Sequence, residues 1–335
     1  MKPGIAFAMD PVRTGHVLPP DLLERLATLG RMIDPVPLEC FDDERARSVL
    51  AAAEILVTGW GCPAIDGAVL ALAPRLRLVA HAAGTVKHFI GEDVYAAGIR
   101  VTHAAEANAV PVAEFTLAAI LFAAKQVFRF HRLYREDRHR RRIDALKGEP
   151  IGNYRKTVGI VGASRIGRRV IALLKPFGFT VLLYDPHVEA AEAARLGVEA
   201  VTLEQLMARS DVVSLHAPAL PATRHMISRP MLACMRDGAT LVNTARGIIV
   251  DEEALIAELG TGRISAVIDV TEPEVPPPTS PLYDLPNVFL TPHIAGAVGT
   301  ERTRLGEMAV DEIARFLAGE PLLYEVHPRL LERLA

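Results

Sequence analysis

The stretch Thr157-Val158-Gly159-Ile160-Val161-Gly162-Ala163-Ser164-Arg165-Ile166-Gly167-Arg168-Arg169-Val170 leaves this chain few folds to choose from. Val158 to Val161 is a β-branched apolar run and reads as a buried parallel strand. The run breaks at Gly162, after which Ile166, Val170, Ile171 and Leu174 recur at helical spacing. Strand, glycine turn and helix form the first half of a dinucleotide-binding unit. Gly162 suits the tight turn, and Gly167 lets the new helix lie close on its strand. A helix N-terminus offers unpaired N–H groups to an anion, so Gly162, Ser164, Arg165, Ile166 and Gly167 are the expected pyrophosphate-binding set. Ser164 stands at the middle glycine position of the usual motif, where its Cβ narrows the approach and its hydroxyl offers a hydrogen bond.

A second apolar strand, Thr180 to Tyr184, ends in Asp185-Pro186. An acid about twenty residues beyond the glycine turn binds the adenosine ribose hydroxyls of NAD and repels a 2′-phosphate. Asp185 therefore favours NAD over NADP. The chain's 335 residues are long enough for two domains, and its net charge of -3 makes no electrostatic case for nucleic acid or a membrane surface. Cys40, Cys62 and Cys234 show no paired spacing, which points to a reducing cytoplasm, no disulfide framework and no metal site. No secretory leader is expected, because Met1-Lys2-Pro3-Gly4 enters a strand directly, and no apolar run reads as long enough to span a bilayer.

Strands are expected at 5–9, 54–58, 76–80 and 99–102, with helices at 18–32 and 42–53, the latter capped by Asp42 or Asp43. This is a second, smaller α/β domain without a phosphate motif. A long apolar helix follows from Asn108 to about Asp137, and the basic run Arg135 to Arg142 reads as a solvated loop or subunit arm. Beyond Asp185 come four more strands, at 198–200, 212–215, 239–243 and 266–270, and a last one at 288–290. A helix from Thr300 to Leu317 closes at Gly319 and Pro321.

In an open parallel sheet, ligands gather beyond the carboxyl ends of strands, and Asp185, Pro218, Arg246, Asp269 and His293 all stand there. Hydride exchange between a nicotinamide and a 2-oxo acid needs a cation for the carboxylate, an acid/base for the hydroxyl proton and a group that tunes the acid/base. Arg246 suits the first need and His293 the second, since guanidinium binds carboxylates by two hydrogen bonds and imidazole titrates near neutrality.

Gly162-x-Ser164-x-x-Gly167, Tyr184-Asp185-Pro186, Asn243-Thr244-Ala245-Arg246-Gly247, Ile268-Asp269-Val270 and Thr291-Pro292-His293-Ile294-Ala295-Gly296 occur in the order of, and resemble, the D-isomer-specific 2-hydroxyacid dehydrogenase family. The resemblance covers essentially the whole chain. It implies two doubly wound parallel-sheet domains. A Rossmann NAD-binding domain, 103–296, is inserted into a smaller flavodoxin-like substrate domain, 1–102 and 297–335. It implies that Arg246 binds the substrate carboxylate and carbonyl, that His293 is the general acid/base, and that Glu274 tunes the histidine, with Glu272 as runner-up because Glu272-Pro273 carries the family's usual Glu-Pro pair. It further implies cofactor contacts at Pro186, Pro218, Thr223, Thr244 and Asp269, substrate contacts at Ala83, Gly84, Thr85 and Asn108, and a homodimer joined through the cofactor domain. The expected activity is an NAD-dependent interconversion of a 2-oxo acid and a D-2-hydroxy acid. The alternative on the same scaffold is an NAD-responsive, corepressor-like binding protein.

Overall fold

The computed structural model describes residues 2–331. The chain divides into two compact units, one formed by Met1–Asn108 with Ala297–Ala335 and the other by Ala109–Gly296.

Unit 1 is built on β1 (Gly4–Ala8), β2 (Arg31–Met32), β3 (Ile55–Thr58), β4 (Leu78–His81) and β5 (Arg100–His103). They lie in the order β2-β1-β3-β4-β5, every neighbouring pair parallel. Alternate residues of each strand feed two cores. Ile5, Phe7, Ile55, Val57 and Leu78 pack against Ala309, Val310 and Ile313 of the helix Thr303–Ala318. Ala6, Ala8, Leu56, Val79 and Val101 pack against Val49 and Leu50 of the helix Glu44–Ala52. Both faces are covered, which is why the strands read as continuous apolar runs. Asp43, not Asp42, caps the Glu44 helix by accepting from Ala46 N at 2.6 Å. The helix expected over 18–32 is the shorter Pro20–Leu29, and a helix not expected from the sequence, Pro11–Val17, precedes it. That added helix lacks an apolar stripe, and its signal was the Asp10-Pro11 start, where Asp10 accepts from Val12 N at 2.9 Å.

The return segment is fastened by a buried acid. Glu312, 1% exposed, accepts from Leu323 N at 3.3 Å and Tyr324 N at 3.0 Å. Beyond them Glu325 forms a bidentate pair with Arg100 of β5, at 2.7 and 2.6 Å, and that guanidinium holds the Glu325 carboxyl below its ordinary range. Glu312→Ala removes the acceptor of two backbone N–H groups and leaves a cavity at a buried position, so we expect a loss of about 3 kcal/mol in urea unfolding. A midpoint unchanged from the parent chain would contradict this fastening role.

Unit 2 carries β6 (Thr157–Val161), β7 (Thr180–Tyr184), β8 (Glu199–Ala200), β9 (Val212–Leu215), β10 (Thr240–Asn243), β11 (Ser265–Ile268) and β12 (Val288–Leu290). Their order is β12-β11-β10-β9-β6-β7-β8, all parallel, so the strand order reverses between β6 and β9. A reversal of this kind opens a crevice at the carboxyl ends of the strands. The two sheets together are the doubly wound pair expected from the sequence.

The long helix expected from Asn108 to Asp137 is two helices, Ala105–Ala124 and Val127–Asp137, broken where Gln126 turns left-handed at φ 53°. The first corrects the expectation about apolar runs, because its 20 residues are long and apolar enough to cross a membrane by length and composition. Its Ala113, Ile120, Ala123 and Ala124 pack on Val158, Ile160 and Val242, so it is a core helix of unit 2 over that span. In the basic run Arg142 pairs with Glu136 and Asp137 and Arg140 with Asp144, and just before it Arg132 pairs with Glu136 and Arg129 with Glu149.

Candidate active site

The glycine turn has the geometry its sequence called for. Gly162 sits at φ 98°, and a Cβ there would lie 2.8 Å from Ala217 N. A Cβ on Gly167 would run into the Gly162 carbonyl. Ser164 caps the helix Arg165–Leu174, its hydroxyl accepting from Gly167 N at 3.3 Å. The middle position therefore helps to form the helix end while its O–H proton stays available to donate. Asp185 follows β7 directly and accepts from Ala163 N at 2.7 Å and His187 N at 2.8 Å. The acid is thus tied to the turn itself, while Arg165 and Pro186 are exposed and Ile166 is half-buried.

His216, just past β9, lies behind the turn. Its Nε2 meets Ser214 Oγ at 2.9 Å, while its buried Nδ1 has no partner among the described residues. Burial pushes this histidine down to about 3, so it is neutral. A glycine cradle that a Cβ would fill, the N-terminus of a helix opening on it and an orphaned buried nitrogen fit a dinucleotide. Thr223 locks the loop after Pro218, donating to Pro218 O at 2.6 Å, and Thr244 shares a buried 2.8 Å hydrogen bond with Thr116. Both hydroxyls serve the walls of the crevice.

Arg246 follows β10. Asn243 shapes its loop, donating through Nδ2 to Arg246 O at 3.0 Å and accepting from Ala245 N at 3.1 Å. Gly247 is needed because a Cβ there would meet the Thr271 carbonyl. Sequence reasoning missed both positions as site builders, although an asparagine ending a strand ahead of Arg-Gly was the available signal. Burial lowers the Arg246 pKa, and the charge of Glu274 opposes that shift.

His293 is held in a left-handed backbone, at φ 53°. Asp269, 2% exposed, creates that loop. It accepts from Thr291 Oγ1 at 2.6 Å, Ile294 N at 2.8 Å and Ala295 N at 2.9 Å, and its carbonyl accepts from His293 N at 2.9 Å. The acid expected to touch the cofactor is thus occupied in aiming the histidine. His293 Nδ1 makes a short hydrogen bond to Glu274 Oε1, which leaves Nε2 free. Glu272, the runner-up, is exposed, and its own N–H donates to Glu252 at 3.2 Å. Arg246, Glu274 and His293 therefore come together, from loops after the neighbouring strands β10, β11 and β12.

In unit 1 the loop Ala83-Gly84-Thr85 leaves the carboxyl end of β4. Ala83 O accepts from Ala104 N at 2.9 Å, and Gly84 O meets His103 Nδ1 at 3.1 Å. Asn108 stands beside Gly84, and its Oδ1 accepts from Ala297 N at 3.0 Å. Its helix begins at Ala105, three residues earlier than Asn108. Beneath the loop His81 is buried against Thr58 Oγ1 at 2.9 Å, and burial together with the neighbouring His103 pushes it down to about 3.

Residues 117–295 match the family model described as D-isomer specific 2-hydroxyacid dehydrogenase, NAD binding domain. The chain is 38% identical over 257 residues to a glyoxylate reductase of Korarchaeum cryptofilum, covering 76% of this chain and 77% of that protein. It is 34% identical over 296 residues to a D-3-phosphoglycerate dehydrogenase of Mycobacterium tuberculosis, covering 88% of this chain. The chain spans about half the length of the phosphoglycerate dehydrogenases it matches, 55% for that one. Among solved structures, the TT0316 protein of Thermus thermophilus superposes with a TM-score of 0.75 at 31% identity, covering 97% of this chain and 100% of that one. TP0037 of Treponema pallidum, a D-lactate dehydrogenase, gives a TM-score of 0.75 at 26% identity, covering 97% and 99%. Turn, acid, arginine and histidine thus agree with independent likeness in sequence and fold: the chain belongs to the D-isomer-specific 2-hydroxyacid dehydrogenase family, and NAD is its cofactor.

Proposed function

We propose that this chain interconverts 2-oxo acids and D-2-hydroxy acids. The observation that carries the reading is the His293–Glu274 pair with Arg246 electrostatically coupled to it. Bound NAD supplies or accepts the hydride. Gly162, Ser164, Arg165, Ile166 and Gly167 hold its pyrophosphate, Asp185 and Pro186 its adenosine ribose, and Pro218, Thr223 and Thr244 line the remainder of its cleft. Arg246 binds the substrate carboxylate and polarises the adjacent carbonyl. His293 Nε2 donates a proton to the oxygen that becomes the hydroxyl and removes it in the reverse direction. Glu274 fixes the imidazole with its proton on Nδ1 and stabilises the imidazolium. Taken by itself, unit 1 has in the loop Ala83-Gly84-Thr85 an element whose N–H groups suit a carboxylate, with Asn108 holding the loop in shape.

The test is the loss of NADH absorbance with glyoxylate, hydroxypyruvate, pyruvate and longer 2-oxo acids, with NADPH as the comparison. Turnover with NADH preferred supports the reading, and silence across the panel overturns it. The intact acid/base pair gives no observation in favour of a purely corepressor-like role.

We further propose a cytoplasmic homodimer joined through unit 2. There Phe128 stacks on Phe289 with centroids 4.3 Å apart, and both Phe289 and Phe122 remain substantially exposed. An aromatic patch of this kind is costly to leave in water. Light scattering that returned the mass of a single chain would refute the assembly.

A further inference from the structure

Trp60 stands two residues beyond β3, and Ala83 two residues beyond the adjacent parallel β4, so both lie at the carboxyl end of the unit 1 sheet. Trp60 packs against the cluster of Ala83, Ala104, Ala107, Ala297 and Leu305, and so forms a floor beside the Ala83-Gly84-Thr85 loop. Two guanidiniums cover that indole, Arg302 at 5.6 Å and Arg13 at 6.0 Å from the ring centroid.

The two arginines are not equivalent. Arg13 pairs with Asp10 at 3.2 Å. The other acid close by, Glu301, accepts from Val298 N at 3.0 Å. Arg302 donates only to Ala297 O, at 3.4 Å, and pairs with no carboxylate among the described residues. It is half-buried, at the end of the turn Gly299–Arg302 that precedes the helix Thr303–Ala318. A guanidinium lying on an aromatic face keeps its in-plane N–H donors available, and their fork matches a carboxylate or a phosphate. A wholly apolar substrate tail in this place would desolvate the cation with nothing in return.

We propose that Arg302, seated on Trp60, binds a second anionic group, so that the preferred substrates are 2-oxo acids carrying a further carboxylate or phosphate. The inference rests on the reading that the adjacent loop receives the substrate's first carboxylate. Asp10 keeps Arg13 from adding a second full charge, and Arg302 is the specificity-determining residue.

The experiment compares kcat/KM for oxaloacetate and 2-oxobutanoate, which differ by one carboxylate, and for hydroxypyruvate 3-phosphate and hydroxypyruvate. A charge-assisted pair favours the dianion by about tenfold or more, and Arg302→Met collapses that ratio while Arg302→Lys keeps part of it. The pair with the larger ratio identifies carboxylate or phosphate as the group bound. Trp60 is the chain's single tryptophan, so its emission reports the same event without turnover. D-malate should shift that emission in the parent chain and not in Arg302→Met, whereas D-2-hydroxybutanoate should shift it in neither. Turnover with equal ratios in parent and Arg302→Met overturns the anion site and leaves the dehydrogenase reading standing. A selective response to D-malate with no turnover does the reverse.

Discussion

His293→Ala lowers kcat about a thousandfold while NADH still binds, because a positioned general acid/base contributes about 10²–10⁴ in rate. The nucleotide turn lies on β6 and β7, whereas His293 follows β12 at the opposite edge of the sheet. Removing the imidazole therefore leaves the glycine cradle and Asp185 intact. Glu274→Gln should cost less, about tenfold to a hundredfold, since the amide still holds the ring but no longer stabilises its charged form. Steady-state rates with the best substrate of the panel, together with NADH titration by fluorescence, check both. A His293→Ala variant that kept the parent kcat would remove this residue from the chemistry. So would a loss explained entirely by weaker NADH binding.

Acidification from pH 7 to pH 5 costs the fold about 4 kcal/mol. His81 and His216 are each 3% exposed and are each pushed down to about 3 from an ordinary 6.5. In the unfolded chain both take up a proton as pH falls through 6.5, and in the folded chain neither does. The unfolded state then binds more protons, so stability rises with pH between about 3 and 6.5 and is lost on acidification through that window. Two such groups contribute about 2 kcal/mol each between pH 7 and 5. Carboxylates with lowered values, Asp34 paired with Arg45 and Glu325 with Arg100, begin to count only nearer their unfolded values around pH 4. The window above pH 5 therefore belongs to the histidines. Urea midpoints measured across it check the effect, and a flat profile would show that both rings gain protons inside the fold. His216→Asn should roughly halve the slope, since only His81 would then remain.

Much of unit 2 was legible because its signals are local. A glycine that must adopt positive φ, an acid after the next strand and a proline after β9 each mark a backbone event that few other residues allow. The choice of Glu274 over Glu272 was legible by counting from Asp269, although the familiar Glu-Pro pair pointed elsewhere. Helix ends were harder. Gln126 breaks the long helix with a left-handed residue that no propensity announces, and Asp10-Pro11 starts a helix whose body has no apolar stripe. The part played by Asp269 was hidden for another reason. Its three hydrogen bonds go to residues more than twenty positions away, and no spacing rule links an acid to a loop that only the assembled sheet brings beside it.

The split of unit 1 bears on synthesis at the ribosome. Residues 109–296 form a contiguous unit and emerge whole, so unit 2 can close as it is made. The N-terminal sheet waits, because one of its two apolar faces, with Ile5, Phe7, Ile55, Val57 and Leu78, is roofed by the helix Thr303–Ala318. Until that helix is translated the nascent chain carries an oily surface, which makes the delay before its arrival the interval in which a chaperone has most to hold.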